Sequence, residues 1–177
     1  MAITLFNNLT ERDKSEAVKE LINDSSPRQD FFLMIVLSIL MATLGLLIDN
    51  ITVVIGSMLI APMLYPIMSL ALGIVMADRK LVFRSIITIA KSVLMALIAA
   101  CLVTLFADPF TDFNSQTIIN ATKPSLAYAA IAVVAGLAGS FALIKPHMNE
   151  LMPGVAISVA LIPPLAVIGV GIARLDR

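Results

Sequence analysis

The chain has one cysteine and one histidine, and only 14% of its 177 residues are charged. Each shortage removes a class of function. Cys101 by itself excludes an intrachain disulfide framework and a cysteine metal cluster. His147, three residues before Glu150, lacks the second histidine that a zinc-protease helix requires in H-E-x-x-H. A G-x-S-x-G nucleophile elbow and a phosphate-cradling glycine loop are also missing. No catalytic residue, metal site or cofactor is therefore expected, and the chain does not read as an enzyme. Twelve acidic side chains balance twelve basic ones. With no basic patch interleaved with aromatics, nucleic-acid binding is not expected either. The stretch from Met1 to Asp30 is largely polar and has no short apolar core of the secretory-signal kind, so the later apolar runs are expected to direct their own insertion.

What the chain does have is hydrophobic length. Apolar residues make up 59% of it and its mean hydropathy is +0.99, which is the composition of a membrane protein. A spanning helix needs about 20 mostly apolar residues, and five runs qualify: 31–48, 51–77, 82–106, 125–144 and 153–173. The expected fold is all-α, a polytopic bundle of about five transmembrane helices over 31–177. It is preceded by a cytoplasmic segment, 1–30. In that segment Thr10-Glu11-Arg12-Asp13 reads as a helix start, Ala17, Val18, Leu21 and Ile22 form an apolar stripe, and Ser25-Ser26-Pro27 ends the helix. This short amphipathic helix would lie on the bilayer or a neighbouring subunit, or act as a regulatory arm.

Orientation follows from the basic residues. If all five runs cross and the N-terminus is inside, Arg12, Lys14, Lys19, Arg28, Arg79, Lys80, Arg84 and Lys145 are cytoplasmic, while Lys123, Arg174 and Arg177 are external. That imbalance satisfies the positive-inside rule and places the protein in the cell (inner) membrane.

Two elements, Leu59-Ile60-Ala61-Pro62 and Leu161-Ile162-Pro163-Pro164, put prolines inside apolar runs at matching points of the two halves. A proline inside a helix costs about 3 kcal/mol, and hydrocarbon offers no water to the freed carbonyls. By spacing, Pro62 and Pro66 would free the carbonyls of Met58 and Pro62, and Pro163 and Pro164 those of Val159 and Ala160. Upstream of each element lies a related stretch, Ala42-Thr43-Leu44-Gly45 and Gly136-Leu137-Ala138-Gly139. Each half thus reads as a hairpin whose second helix is broken. One span separates the two hairpins, so they would enter from opposite sides as an inverted repeat, an arrangement that places a binding site at the repeat interface. A three-plus-three version would call for a sixth span after Arg177.

The residues also carry a family likeness. Asp49-Asn50, the run from Val53 to Pro62 with Pro66 beyond it, and the run from Pro153 to Gly169 resemble the two signature stretches of the family called domain of unknown function 389. The resemblance covers about residues 31–173. It implies a prokaryotic polytopic membrane protein whose biochemical role the family name leaves unassigned.

Candidate site residues follow from the breaks. Asp49 and Asn50 form either an interfacial, helix-capping turn or a group that attracts a cation or proton. Gly56, Ser57, Pro62, Tyr65, Pro66 and Ser69 lie on the second run, with Ser158, Pro163 and Pro164 on the fifth. Freed carbonyls there would bind a cation or water, or be satisfied by neighbouring hydroxyls. Lys91 stands alone in the third run, either snorkelling to the surface or lining a polar cavity or pairing with Asp49. Ala132, Gly136 and Ser140, like Ser38 and Ala42, recur at four-residue spacing and let helices approach closely. Five spans are few for enclosing a solute path, so a homo-oligomer in the lipid bilayer is expected. The function that fits is a transporter or channel-like protein for a small solute or ion. The alternative is a non-transporting scaffold or sensor that acts through oligomerisation.

Overall fold

A computed structural model describes residues 15, 18–19, 29–107, 118, 126–144 and 162–174. The described residues form six helices and no strand: α1 (Gln29–Leu47), α2 (Ile51–Ile60), α3 (Leu64–Val75), α4 (Arg79–Ala107), α5 (Leu126–Ile144) and α6 (Ile162–Arg174). The expected amphipathic helix before Pro27 and the connection from residue 108 to 125 lie outside the described residues, apart from isolated positions.

By length and composition α1 and α4 are each able to cross a membrane, and α2 with α3 makes a third span if the bent pair is counted as one. Two further apolar stretches, Ala129–Phe141 in α5 and Pro163–Ala173 in α6, are shorter. The all-helical expectation thus holds, whereas five full spans and an inverted repeat go beyond these helices. The fifth run is described only from Ile162 onward, as a helix with Pro163 and Pro164 among its first described residues.

Helices α1, α2, α3 and α4 are joined by two turns of one design. In the first, the Asn50 amide donates to the Gly45 carbonyl (2.8 Å) and the Asp49 amide to Leu46 (3.2 Å). In the second, Asp78 donates to Gly73 (2.9 Å) and Ala77 to Ile74 (3.2 Å). This is the Schellman pattern. Asp49 and Ala77 each take φ 52°, as the residue after such a helix end must. The next residue then starts the following helix. Asn50 Oδ1 accepts from the amides of Thr52 and Val53, and Asp78 Oδ1 from those of Lys80 and Leu81. Glycine is needed at the third position from each helix end because the returning chain passes there. A Cβ on Gly45 would lie 2.9 Å from Val54 Cγ2, and one on Gly73 would lie 3.0 Å from the Val82 amide nitrogen. Gly-Leu-Leu-Ile-Asp-Asn and Gly-Ile-Val-Met-Ala-Asp therefore encode the same reversal 28 residues apart.

Packing places α1 against α2, α4 and α6, while α4 also packs against α3 and α6. One core cluster joins Phe31, Ile35, Ile39, Ala42 and Leu46 of α1 to Val54 of α2, Ala96, Ala99 and Ala100 of α4, and Ala166 of α6. The buried face of α4 is built almost entirely from small residues, Ser85, Thr88, Ser92, Ala96, Ala99, Ala100 and Thr104. Its large ones, among them Phe83, Ile86, Leu94, Ile98, Leu102 and Phe106, point outward. Small residues inside and large apolar ones outside is the arrangement of helices packed in hydrocarbon, and it is compatible with a bilayer surround. Helix α6 approaches most closely at Gly169, where an added Cβ would run into Ala100 Cβ.

Two substitutions test these contacts by thermal unfolding in detergent. Ala77→Gly relieves a side chain in the left-handed region and is expected to stabilise the protein by about 0.5–1 kcal/mol. Gly169→Ala is expected to destabilise it by about 1–3 kcal/mol, and Ala100→Gly in the same chain should restore most of that loss.

Candidate functional site

Asp49 and Asn50 sit at the α1–α2 turn, exposed, with Asn50 spending its side-chain oxygen on the helix cap. The proline break is at the other end of the ten-residue α2, about 15 Å away at 1.5 Å per residue. The structure therefore does not bring Asp49 and Asn50 to the break. Their arrangement is that of the capping turn, one of the two readings their sequence allowed.

The break itself is sharp. Helix α2 ends at Ile60, Ala61 adopts an extended conformation, and α3 begins at Leu64. The two helix axes differ by 54°. Pro62 lies in the link between them. Pro66 is the third residue of α3 and buried, so its missing amide falls among those that any helix start leaves without an internal partner. The sequence expectation that Pro66 frees a helical carbonyl at Pro62 is thus corrected, since Pro62 precedes the helix. Pro163 and Pro164 are the second and third described residues of α6, and the residues before Ile162 lie outside those described. Val159 and Ala160, like Ser158, lie outside the described residues.

Buried hydroxyls gather around the break. Ser57 is fully buried on α2 and donates to the Val54 carbonyl (2.6 Å). The Ser57 carbonyl belongs to the last turn of α2, where the helix supplies no regular partner. Ser38 of α1 donates its hydroxyl to that carbonyl at 2.6 Å. Satisfaction by a neighbouring hydroxyl is what hydrocarbon demands of a broken helix. Gly56 allows α1 to come close, since a Cβ there would sit 3.1 Å from Met41 Cε. Tyr65 is half-buried near the start of α3, and Ser69 is fully buried one turn further along. Ala61 and Met63 of the break share the core cluster with Ala166, and Met58, Leu165 and Val167 pack against it. The break and Ala166 of α6 thus belong to one cluster, built mainly of apolar side chains.

A second polar feature runs along the buried face of α4. Thr88 donates to the Arg84 carbonyl and Ser92 to that of Thr88, at 3.0 and 2.8 Å. The buried Ser85 hydroxyl has no hydrogen-bond partner among the described residues. Sequence reasoning passed over Ser85, Thr88 and Ser92, although their spacing of three and four residues inside an apolar run marks a single helical face. Lys91 is exposed on α4, in line with Ile87, Leu94 and Ile98, a placement that fits the snorkelling reading. Among the described residues no group of three or more His, Cys, Asp or Glu could hold a metal ion. His147 and Glu150 lie outside them.

Ser38→Ala should destabilise the protein by about 0.5–1.5 kcal/mol in detergent unfolding, because it strips the partner from a buried carbonyl. Ser140→Ala, which removes only a bond to the Gly136 carbonyl within the same helix, should cost less.

The family model described as Domain of unknown function (DUF389) matches residues 58–176, a span that holds both proline elements. An uncharacterized protein of Methanocaldococcus jannaschii is 34% identical over 139 residues, which cover 77% of this chain and 42% of that relative. The chain therefore spans less than half the length of the curated relative it matches. No solved structure matches it.

Proposed function

Since the chain belongs to the family Domain of unknown function (DUF389), whose name assigns no activity, we propose from the site itself that this is an integral membrane protein passing a small solute or ion at the break between α2 and α3. The observation that carries the reading is the 54° bend at Ala61-Pro62-Met63, within a pair of helices otherwise apolar enough to make one span. A break at that point sets the carbonyl end of α2 and the amide end of α3 at one depth. Each helix end carries about half an elementary charge, and discontinuous helices use such ends to hold substrates and coupling ions near the bilayer midplane. Ala166 of α6 belongs to the same cluster as Ala61 and Met63, with Leu165 and Val167 packed against it, so α6 contributes to the surroundings of the break.

No residue from Ile51 to Ala77 is charged. A site here is made of backbone oxygens and the hydroxyls of Ser57, Ser69 and Tyr65, which favours a small polar or cationic solute over a multiply charged anion. In this reading all five apolar runs cross the cell membrane with the N-terminus cytoplasmic, and no catalysis is assigned. The two proline elements face each other as inverted halves. Further copies of the chain supply walls that five spans lack. Support for that assembly comes from α5, where a Cβ on Gly136 would meet nothing within 4 Å among the described residues, leaving room for another helix.

One observation favours a second reading, a non-transporting scaffold or sensor. The Ser38–Ser57 bond and the apolar packing of Ala61, Met63 and Ala166 are those of a kink held closed.

Reconstitution in liposomes separates the two. The first reading expects flux of a small ion or polar solute. Pro62→Ala, which restores an amide and removes a constraint of about 3 kcal/mol against a straight helix, should lower that flux several-fold, and Ser57→Ala should also change it. A well-folded protein that is silent across a broad panel of ions and metabolites selects the second reading.

A further inference from the structure

At the α3–α4 turn, well away from the break, a groove of about 360 Å³ opens between the two helices, lined by Gly73, Ile74, Arg79, Val82, Phe83 and Ile86. We propose that this groove binds one anionic phospholipid, with the phosphate on Arg79 and an acyl chain along Val82, Phe83 and Ile86.

Three features of the groove select that occupant. Its walls are apolar and outward-facing, with Phe83 66% and Ile74 64% exposed, on the surface that a bilayer would cover. Its volume falls in the range of small-molecule pockets. It also lies where the chain changes from apolar to charged, at Met76-Ala77-Asp78-Arg79-Lys80, the depth at which headgroups meet acyl chains. Arg79 alone among the lining residues is charged, and its guanidinium presents the planar fork that suits a phosphate. Lys80 and Arg84 raise the local positive charge further. Asp78, which precedes Arg79, accepts from the amides of Lys80 and Leu81 with its Oδ1, which ties its carboxylate to the helix start. Gly73 keeps the groove open, because a side chain there would press on Val82. A zwitterionic phospholipid would satisfy the apolar wall and offer Arg79 a phosphate, but the cationic group of its headgroup would cancel the net attraction to Arg79 and its basic neighbours. A free phosphate ester would satisfy Arg79 but leave the wall uncovered. The inference rests on the membrane setting and not on solute conduction.

The test uses the full chain purified in detergent and offered equal amounts of phosphatidylglycerol and phosphatidylcholine, with bound lipid read by native mass spectrometry. Phosphatidylglycerol should be retained in preference. Arg79→Gln should reduce that preference about fivefold, the contribution of one basic residue at a lipid surface, and Arg79→Lys should keep part of it. Ile86→Trp, which fills the groove, should reduce retention of both lipids. Arg79 is exposed, so its replacement leaves the core intact. Equal retention of the two lipids, an unchanged preference in Arg79→Gln, or displacement of the lipid by glycerol phosphate at matched concentration would each overturn the proposal.

Discussion

The α1–α2 and α3–α4 reversals and the α2–α3 break each have to satisfy backbone groups that a helix end leaves without an internal partner, and the arrangement of these four helices follows from how each does so. An unsatisfied group in hydrocarbon costs several kcal/mol. The α1–α2 and α3–α4 reversals meet the demand with crossed backbone bonds followed at once by an Asn or Asp cap. That economy leaves almost no loop, so consecutive helices are held side by side and glycines are forced at positions 45 and 73. The α2–α3 break meets the same demand differently. Its proline prevents a regular continuation, and the last turn of α2 borrows a hydroxyl from α1. Removal of that donor would expose a flaw that no surrounding solvent could mend.

The packing is of the kind expected of helices in a lipid surround. With lipid as apolar as leucine, large side chains gain little by turning inward, and helices associate through close backbone approach instead. Hence Ser, Thr, Ala and Gly line the contacts of α4 with its neighbours, and Phe and Ile face out. Hydroxyls on these contacts mostly satisfy themselves against the preceding turn of their own helix, as Thr43, Thr88, Ser92 and Thr104 do. Ser38 differs because it reaches another helix, and Ser85 because it reaches nothing among the described residues. Those two exceptions mark where the interior departs from plain packing.

Much of the fold could be read from the chain. The apolar runs anticipated the ends of α1 and α4 to within a few residues, because hydrophobic length is a strong signal that needs no partner. Pro62 marked the break, since a ring without an amide disrupts a helix in any context. Pro66 was harder. A proline stops a helix when it falls inside one and starts a helix when it falls in the first turn, and only the position of the helix start separates the two cases. The identity between the turns at Asp49 and Ala77 was visible as a repeated Gly with an Asn or Asp five residues on, but Ala in a left-handed conformation has no signature of its own.

The candidate site divides in the same way. The sequence by itself determined that the chain is helical and apolar, that charge is absent between Ile51 and Ala77, and that a break occurs at Pro62, because composition and the chemistry of proline act locally. Tertiary structure alone decided that Asp49 and Asn50 stand a helix length from that break, that Ser38 closes it, and that Ala166 of α6 shares its cluster. Arg79, too, borders an apolar groove only through the packing of α3 on α4. Those relations depend on how helices distant in sequence lie against one another, and small side chains that permit close approach do not specify which partner will make it.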